Sequence, residues 1–85
     1  MITIYSKTLC PNCTHAKKFL EAKEISFQEA NIEKDASARE FLLSKGHRSV
    51  PQIYVGEQLL VAGGWEALSK LSTEEIQNLV NQLTN

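Results

Sequence analysis

Cys10 and Cys13 are the only cysteines of the chain, and two residues separate them. Thiols at this spacing can close a disulfide, contribute to a metal site or exchange disulfides with a substrate. The loop they would close is too short to restrain much chain entropy, so redox chemistry explains the pair better than stability does. A zinc site would need further ligands, and His15 and His47 are the histidines on offer. His15 follows Cys13 by two residues on the same expected helix, which turns its side chain away from the thiols.

The surroundings of the pair favour a thiolate. Ile2–Tyr5 alternates and is rich in β-branched residues, the pattern of a strand. Pro11 suits the first turn of a helix, where its missing N–H costs nothing. Cys10 therefore stands at a helix mouth, facing unpaired N–H groups and the positive end of the dipole. Lys7 lies three residues upstream, and the first 20 residues carry Lys7, Lys17 and Lys18 without an acid. The expected division of labour makes Cys10 the more exposed nucleophile and Cys13, about one turn in, the buried resolving thiol.

The elements that must position these thiols follow from periodicity. Ala16, Phe19 and Leu20 form the apolar stripe of a first helix that ends near Lys23. Ile25–Gln28 reads as a second strand. Ala38, Phe41 and Leu42 mark a second helix that Gly46 ends. Gln52–Val55 is a third strand, Gly56-Glu57 a hairpin turn and Gln58–Val61 the returning strand. Gly63-Gly64 is a break, and Leu68 and Leu71 belong to a short third helix. Ser72-Thr73-Glu74-Glu75 is a capping box opening a last helix, whose Ile76, Leu79, Val80 and Leu83 serve packing. The expected fold is α/β, a single domain over residues 1–85. Its four-stranded mixed sheet is flanked by helices in the order β-α-β-α-β-β-α, followed by a C-terminal helix. The first two strands pair in parallel through a right-handed crossover.

Composition narrows the function. The chain has 85 residues, 42% apolar and 22% charged, with a net charge of −1. That balance argues against nucleic-acid binding by a charged face. Apolar runs such as Leu59-Leu60-Val61-Ala62 are too short for a transmembrane helix. The N-terminal residues do not read as a secretory leader, so a cytoplasmic, reducing location is expected.

Three spaced motifs carry a resemblance. They are Ile4-Tyr5-Ser6-Lys7-Thr8-Leu9-Cys10-Pro11-Asn12-Cys13, then Gly46-His47-Arg48-Ser49-Val50-Pro51-Gln52-Ile53, then Gly63-Gly64. From Ile2 to about Leu71 the chain resembles the glutaredoxin family, within the thioredoxin fold. The resemblance implies a dithiol thiol–disulfide oxidoreductase that reduces protein disulfides and glutathione mixed disulfides, and that could donate electrons to ribonucleotide reductase. Glutathione would be the reducing co-substrate, with no bound cofactor and no metal. Glutathione and disulfide-containing or glutathionylated proteins would be the partners of a monomer, with neither nucleic acid nor membrane.

The resemblance also assigns residues. Pro51 should be cis and face the cysteines, although the dipeptide Val50-Pro51 alone favours trans, since only about 5–6% of such bonds are cis. The Val50 backbone should pair with the cysteinyl part of glutathione, with Ser49 beside it. Lys7 and Arg48 should lie near the glycine carboxylate. Gly63 and Gly64 should let the γ-glutamyl end approach the third helix, with Trp65 beside the site and Glu66 as the acid for the γ-glutamyl amine.

The departures are Asn12, where the family most often has tyrosine, and Trp65-Glu66-Ala67, where it usually has an acid at the second or third residue after the glycines. Ala38 replaces a polar residue of the second helix, and Arg39 beside it is expected to point elsewhere. Two other readings remain. A redoxin recharged by thioredoxin reductase usually carries Trp-Ser-Gly-Phe-Arg-Pro near the third helix, a stretch missing here. An iron–sulfur carrier is disfavoured by Pro11 and Cys13.

Overall fold

The computed structural model describes residues 1–84. Its elements run β1 (Ile2–Ser6), α1 (Pro11–Ala22), β2 (Phe27–Asn31), α2 (Ala36–Ser44), β3 (Gln52–Val55), β4 (Gln58–Val61), α3 (Gly64–Leu68) and α4 (Thr73–Thr84). The sheet order is β2-β1-β3-β4. β1 pairs with β2 in parallel and with β3 antiparallel, and β3 pairs antiparallel with β4. The expected α/β architecture and element order are those observed.

Alternation along the strands separates two layers. Ile2, Ile4, Ile53, Val55 and Leu60 join Ala16 and Leu20 of α1, Leu68 of α3 and Ile76 of α4 in one buried cluster. Each such aliphatic side chain contributes about 1.5–3 kcal/mol by leaving water. On the other face, Tyr5 stacks on Phe41 of α2 at 5.3 Å, and Tyr54 meets both rings edge-on. All four residues of β3 are buried because helices cover both of its faces.

Local chemistry sets the ends of the helices. Asp35 caps α2 by accepting from the N–H groups of Ser37 and Ala38. Gly46, at φ +83°, ends it in a Schellman turn. There the His47 N–H donates to the Leu42 carbonyl, and the Gly46 N–H to that of Leu43. The capping box of α4 forms as expected: the Glu75 N–H donates to Ser72 Oγ, and the Ser72 N–H to Glu75 Oε1.

Two expected boundaries move. The second strand is Phe27–Asn31 and not Ile25–Gln28. The Ile25 N–H is committed to the Leu20 carbonyl, closing α1 through Glu24 at φ +56°, so Ile25 finishes the helix turn. Leu71 lies beyond α3, which ends at Leu68.

Candidate active site

Cys10 is the N-cap of α1, and Pro11 occupies its first turn. The two cysteines form a disulfide, with their Cα atoms 5.2 Å apart. The Cys13 N–H donates to Cys10 Sγ at 3.2 Å, so the sulfur takes the place that a serine or aspartate oxygen usually fills. Thr14 adds two donors to the Cys10 carbonyl, its N–H at 3.1 Å and its hydroxyl at 3.2 Å. No acid stands in the first turn to oppose a negative sulfur. Cys13 is 1% exposed and Cys10 9%. The order matches expectation, but Cys10 is far less open than a helix mouth suggested.

The expected excess of positive charge is smaller than the sequence count implied. Lys17 is held at 2.9 Å from Glu29 on β2. The fully buried Ser6 hydroxyl donates to the same carboxylate oxygen at 2.5 Å. The Ser6 bond first, and the Lys17 bond second, hold the Glu29 carboxyl below the usual carboxylate range, against a smaller opposing push from burial. Lys17 is thereby neutralised, whereas Lys7 faces a cleft.

Two clefts share His47, Ser49 and Val50. The larger, about 500 Å³, runs from Asn12 past Pro51 to Gly63, Gly64, Trp65 and Glu66. Its volume falls in the range of about 300–1,000 Å³ common to small-molecule sites. The smaller is lined by Lys7, Arg39 and Arg48, with Ile32, Leu42 and Leu43 as its apolar part. The structure thus brings every candidate glutathione residue to one of the two clefts. Arg39, next to Ala38 on α2, lines the smaller cleft as well.

The loop between the clefts is held firmly. The Val50–Pro51 bond is cis, as the resemblance implied and contrary to what the dipeptide alone favours. The buried Gln52 amide donates to the Ser49 carbonyl at 2.9 Å. His47 Nε2 lies 2.6 Å from the Tyr54 hydroxyl. Burial raises the Tyr54 pKa, so this phenol stays protonated at neutral pH. Sequence reasoning missed Gln52 and the role of His47. The available signal was a polar residue opening an otherwise apolar strand directly after the proline.

Trp65 is both anchor and wall. His15 stacks on it at 5.7 Å and Phe19 meets it edge-on at 5.4 Å, tying α3 to α1. Glu66 is largely exposed and makes only a 3.9 Å ion pair with Lys70, which leaves it free to turn toward the cleft. Gly64 holds φ +64°, and a β-carbon there would crowd Pro51.

Comparison with known proteins agrees with this geometry. The family model described as Glutaredoxin matches residues 2–60. Glutaredoxin 3 of Escherichia coli strain K12 is 39% identical over 71 residues, 82% of this chain and 83% of that protein. The glutaredoxin-like protein NrdH of Lactococcus lactis subsp. cremoris is 40% identical over 53 residues, 62% of this chain and 74% of that one. The crystal structure of a thioredoxin-like protein superposes with a TM-score of 0.67 at 30% identity, covering 93% of this chain and 99% of that one.

Proposed function

The chain belongs to the glutaredoxin family of thiol–disulfide oxidoreductases, and from that premise we propose that glutathione is its reductant. The observation that carries this reading is the junction of the two clefts at Ser49 and Val50. One arm offers three cations for the glycine carboxylate. The other offers the glycine backbone, Trp65 and Glu66 for the γ-glutamyl end. The Val50 backbone between them takes the cysteinyl unit.

In this reading Cys10, as thiolate, attacks a substrate disulfide and forms a mixed disulfide while the first substrate thiol leaves. Cys13 then attacks the Cys10 sulfur and releases the second thiol, which leaves the protein oxidised. Two glutathione molecules return the pair to the dithiol and become glutathione disulfide. Substrates are protein disulfides and glutathionylated proteins, the protein acts as a monomer, and its setting is the cytoplasm. Neither a metal nor a bound cofactor takes part.

The test is turnover of a small glutathione mixed disulfide with glutathione, glutathione reductase and NADPH. Wild type should turn over and Cys10→Ser should not. A folded wild type that stays idle overturns glutathione dependence. Similarity to the NrdH protein favours a second reading, a redoxin recharged by thioredoxin reductase that serves ribonucleotide reductase. Reduction by thioredoxin reductase faster than by glutathione would decide for it.

A further inference from the structure

Because Cys10 is only 9% exposed, a disulfide reaches its sulfur by seating against the neighbouring residues. Leu9 precedes it in the chain and is 95% exposed, the most exposed of the large apolar side chains among the described residues. Single exposed leucines are common and mean little by themselves. This one also sits at φ +56°, where a β-carbon crowds the following carbonyl. Glycine or asparagine would fit that backbone more easily, but neither offers apolar surface.

The backbone around Leu9 is pinned on both sides. The Thr8 N–H donates to Glu33 Oε1 at 2.7 Å, and Asn31 Nδ2 donates to Thr8 Oγ1 at 3.3 Å. On the other side begins the cap of α1. The leucine is therefore presented outward from a fixed frame, one residue from the reacting sulfur.

We infer that Leu9 is a docking residue for polypeptide substrates and covers an apolar side chain flanking the partner's reactive cysteine. The inference rests on the reading of Cys10 as the attacking thiol and adds a residue that selects among its polypeptide substrates. Glutathione has no apolar side chain beside its cysteine, since a γ-linked glutamate and a glycine flank it. Leu9 therefore separates polypeptide substrates from the tripeptide.

The test omits glutathione, so it does not depend on the reductant. Two synthetic peptides differ only in having leucine or serine beside a cysteine that carries 5-thio-2-nitrobenzoate. The pre-reduced protein is mixed with each. The Cys10 thiolate bonds to the peptide sulfur and expels the coloured thiolate. Cys13 then attacks the Cys10 sulfur and releases the peptide thiol, and the pair ends as a disulfide, having given two electrons to the peptide–nitrobenzoate disulfide. Wild type should react about tenfold faster with the leucine peptide, a ratio in keeping with partial burial of two apolar side chains. Leu9→Asn should lose that preference and keep the rate on the serine peptide. Leu9→Met should restore most of it. Equal rates for both peptides in wild type, or an equal slowing of both by Leu9→Asn, would overturn the inference. A wild type that reacts with neither peptide removes the thiol-exchange reading and this inference with it. A wild type that reacts here yet is not recharged by glutathione overturns the reductant alone.

Discussion

Gly64 lies so close to Pro51 that a β-carbon on it would stand 3.1 Å from the Pro51 carbonyl oxygen. The same residue needs φ +64°, which L side chains adopt only at a cost. Gly64→Ala therefore combines strain with a push of α3 away from the loop. We expect a loss of about 1–2 kcal/mol, read as a fall in Tm of about 4–16 °C for a domain this size. KM for glutathione should rise, because the proposed γ-glutamyl arm would widen. An unchanged Tm together with an unchanged KM would show that the loop yields freely.

Lys7, Arg39 and Arg48 line one cleft, so each should contribute to carboxylate binding. Replacing any one with alanine should raise KM for glutathione about 3–10-fold with little change in kcat, the signature of lost uniform binding. The defect should shrink in high salt, because screening weakens the wild type as well. Arg39→Ala is the most informative of the three. A KM equal to that of wild type would return Arg39 to the plain surface role that its neighbour Ala38 suggested.

Cys13→Ser should divide the activities. One thiol suffices to remove glutathione from a protein, so that rate should persist. Reduction of an intramolecular protein disulfide needs the second thiol, and trapped mixed disulfides should accumulate on Cys10. Mass spectrometry of the reaction mixture distinguishes the adduct from free protein. Full activity on protein disulfides would mean that Cys13 is dispensable.

Ser6, Glu29 and Lys17 predict an acid dependence of stability. The folded pKa of Glu29 is lowered, foremost by the Ser6 hydroxyl and then by Lys17. Between the folded and unfolded values the unfolded chain binds more protons, so stability falls as pH falls. The contribution is complete above the ordinary carboxylate range, about pH 4.3, and fades as pH drops through the lowered folded value. Glu29→Gln should therefore be less stable than wild type at pH 7, and the gap in Tm should narrow as pH falls below the ordinary carboxylate range and close once Glu29 is protonated in the folded protein. A gap that does not change with pH would assign the effect to packing.

Much of this was legible in the residues. Alternation gave β1, the Gly56-Glu57 turn between two apolar runs gave the β3–β4 hairpin, and Gly46 gave the end of α2. The Ser72–Glu75 box gave the start of α4, because caps and turns are local chemistry. β2 was misplaced because it is an edge strand of mixed polarity, Phe27-Gln28-Glu29-Ala30-Asn31, whereas the apolar Ile25 next to it belongs to a helix turn. Within the site, the family resemblance implied Lys7, Arg48, Val50-Pro51 and Gly63-Gly64, and the structure places them at the two clefts. Arg39 lies outside the three motifs, so only the folded chain shows it at the smaller cleft. The pairing of Lys17 with Glu29 escaped because it is tertiary: the two lie 12 positions apart, one on α1 and the other on β2.

The N-cap of α1 has a thermodynamic consequence. In the disulfide the Cys13 N–H already rests on Cys10 Sγ. In the thiolate form that the proposed attack requires, that sulfur carries charge, and a hydrogen bond to a charged acceptor is roughly twice as strong as one to a neutral acceptor. The helix is thus better capped in the reduced protein than in the oxidised one. Whatever steadies the dithiol form makes it a weaker electron donor. Readiness to attack at neutral pH and strength as a reductant are set against each other through a single N–H.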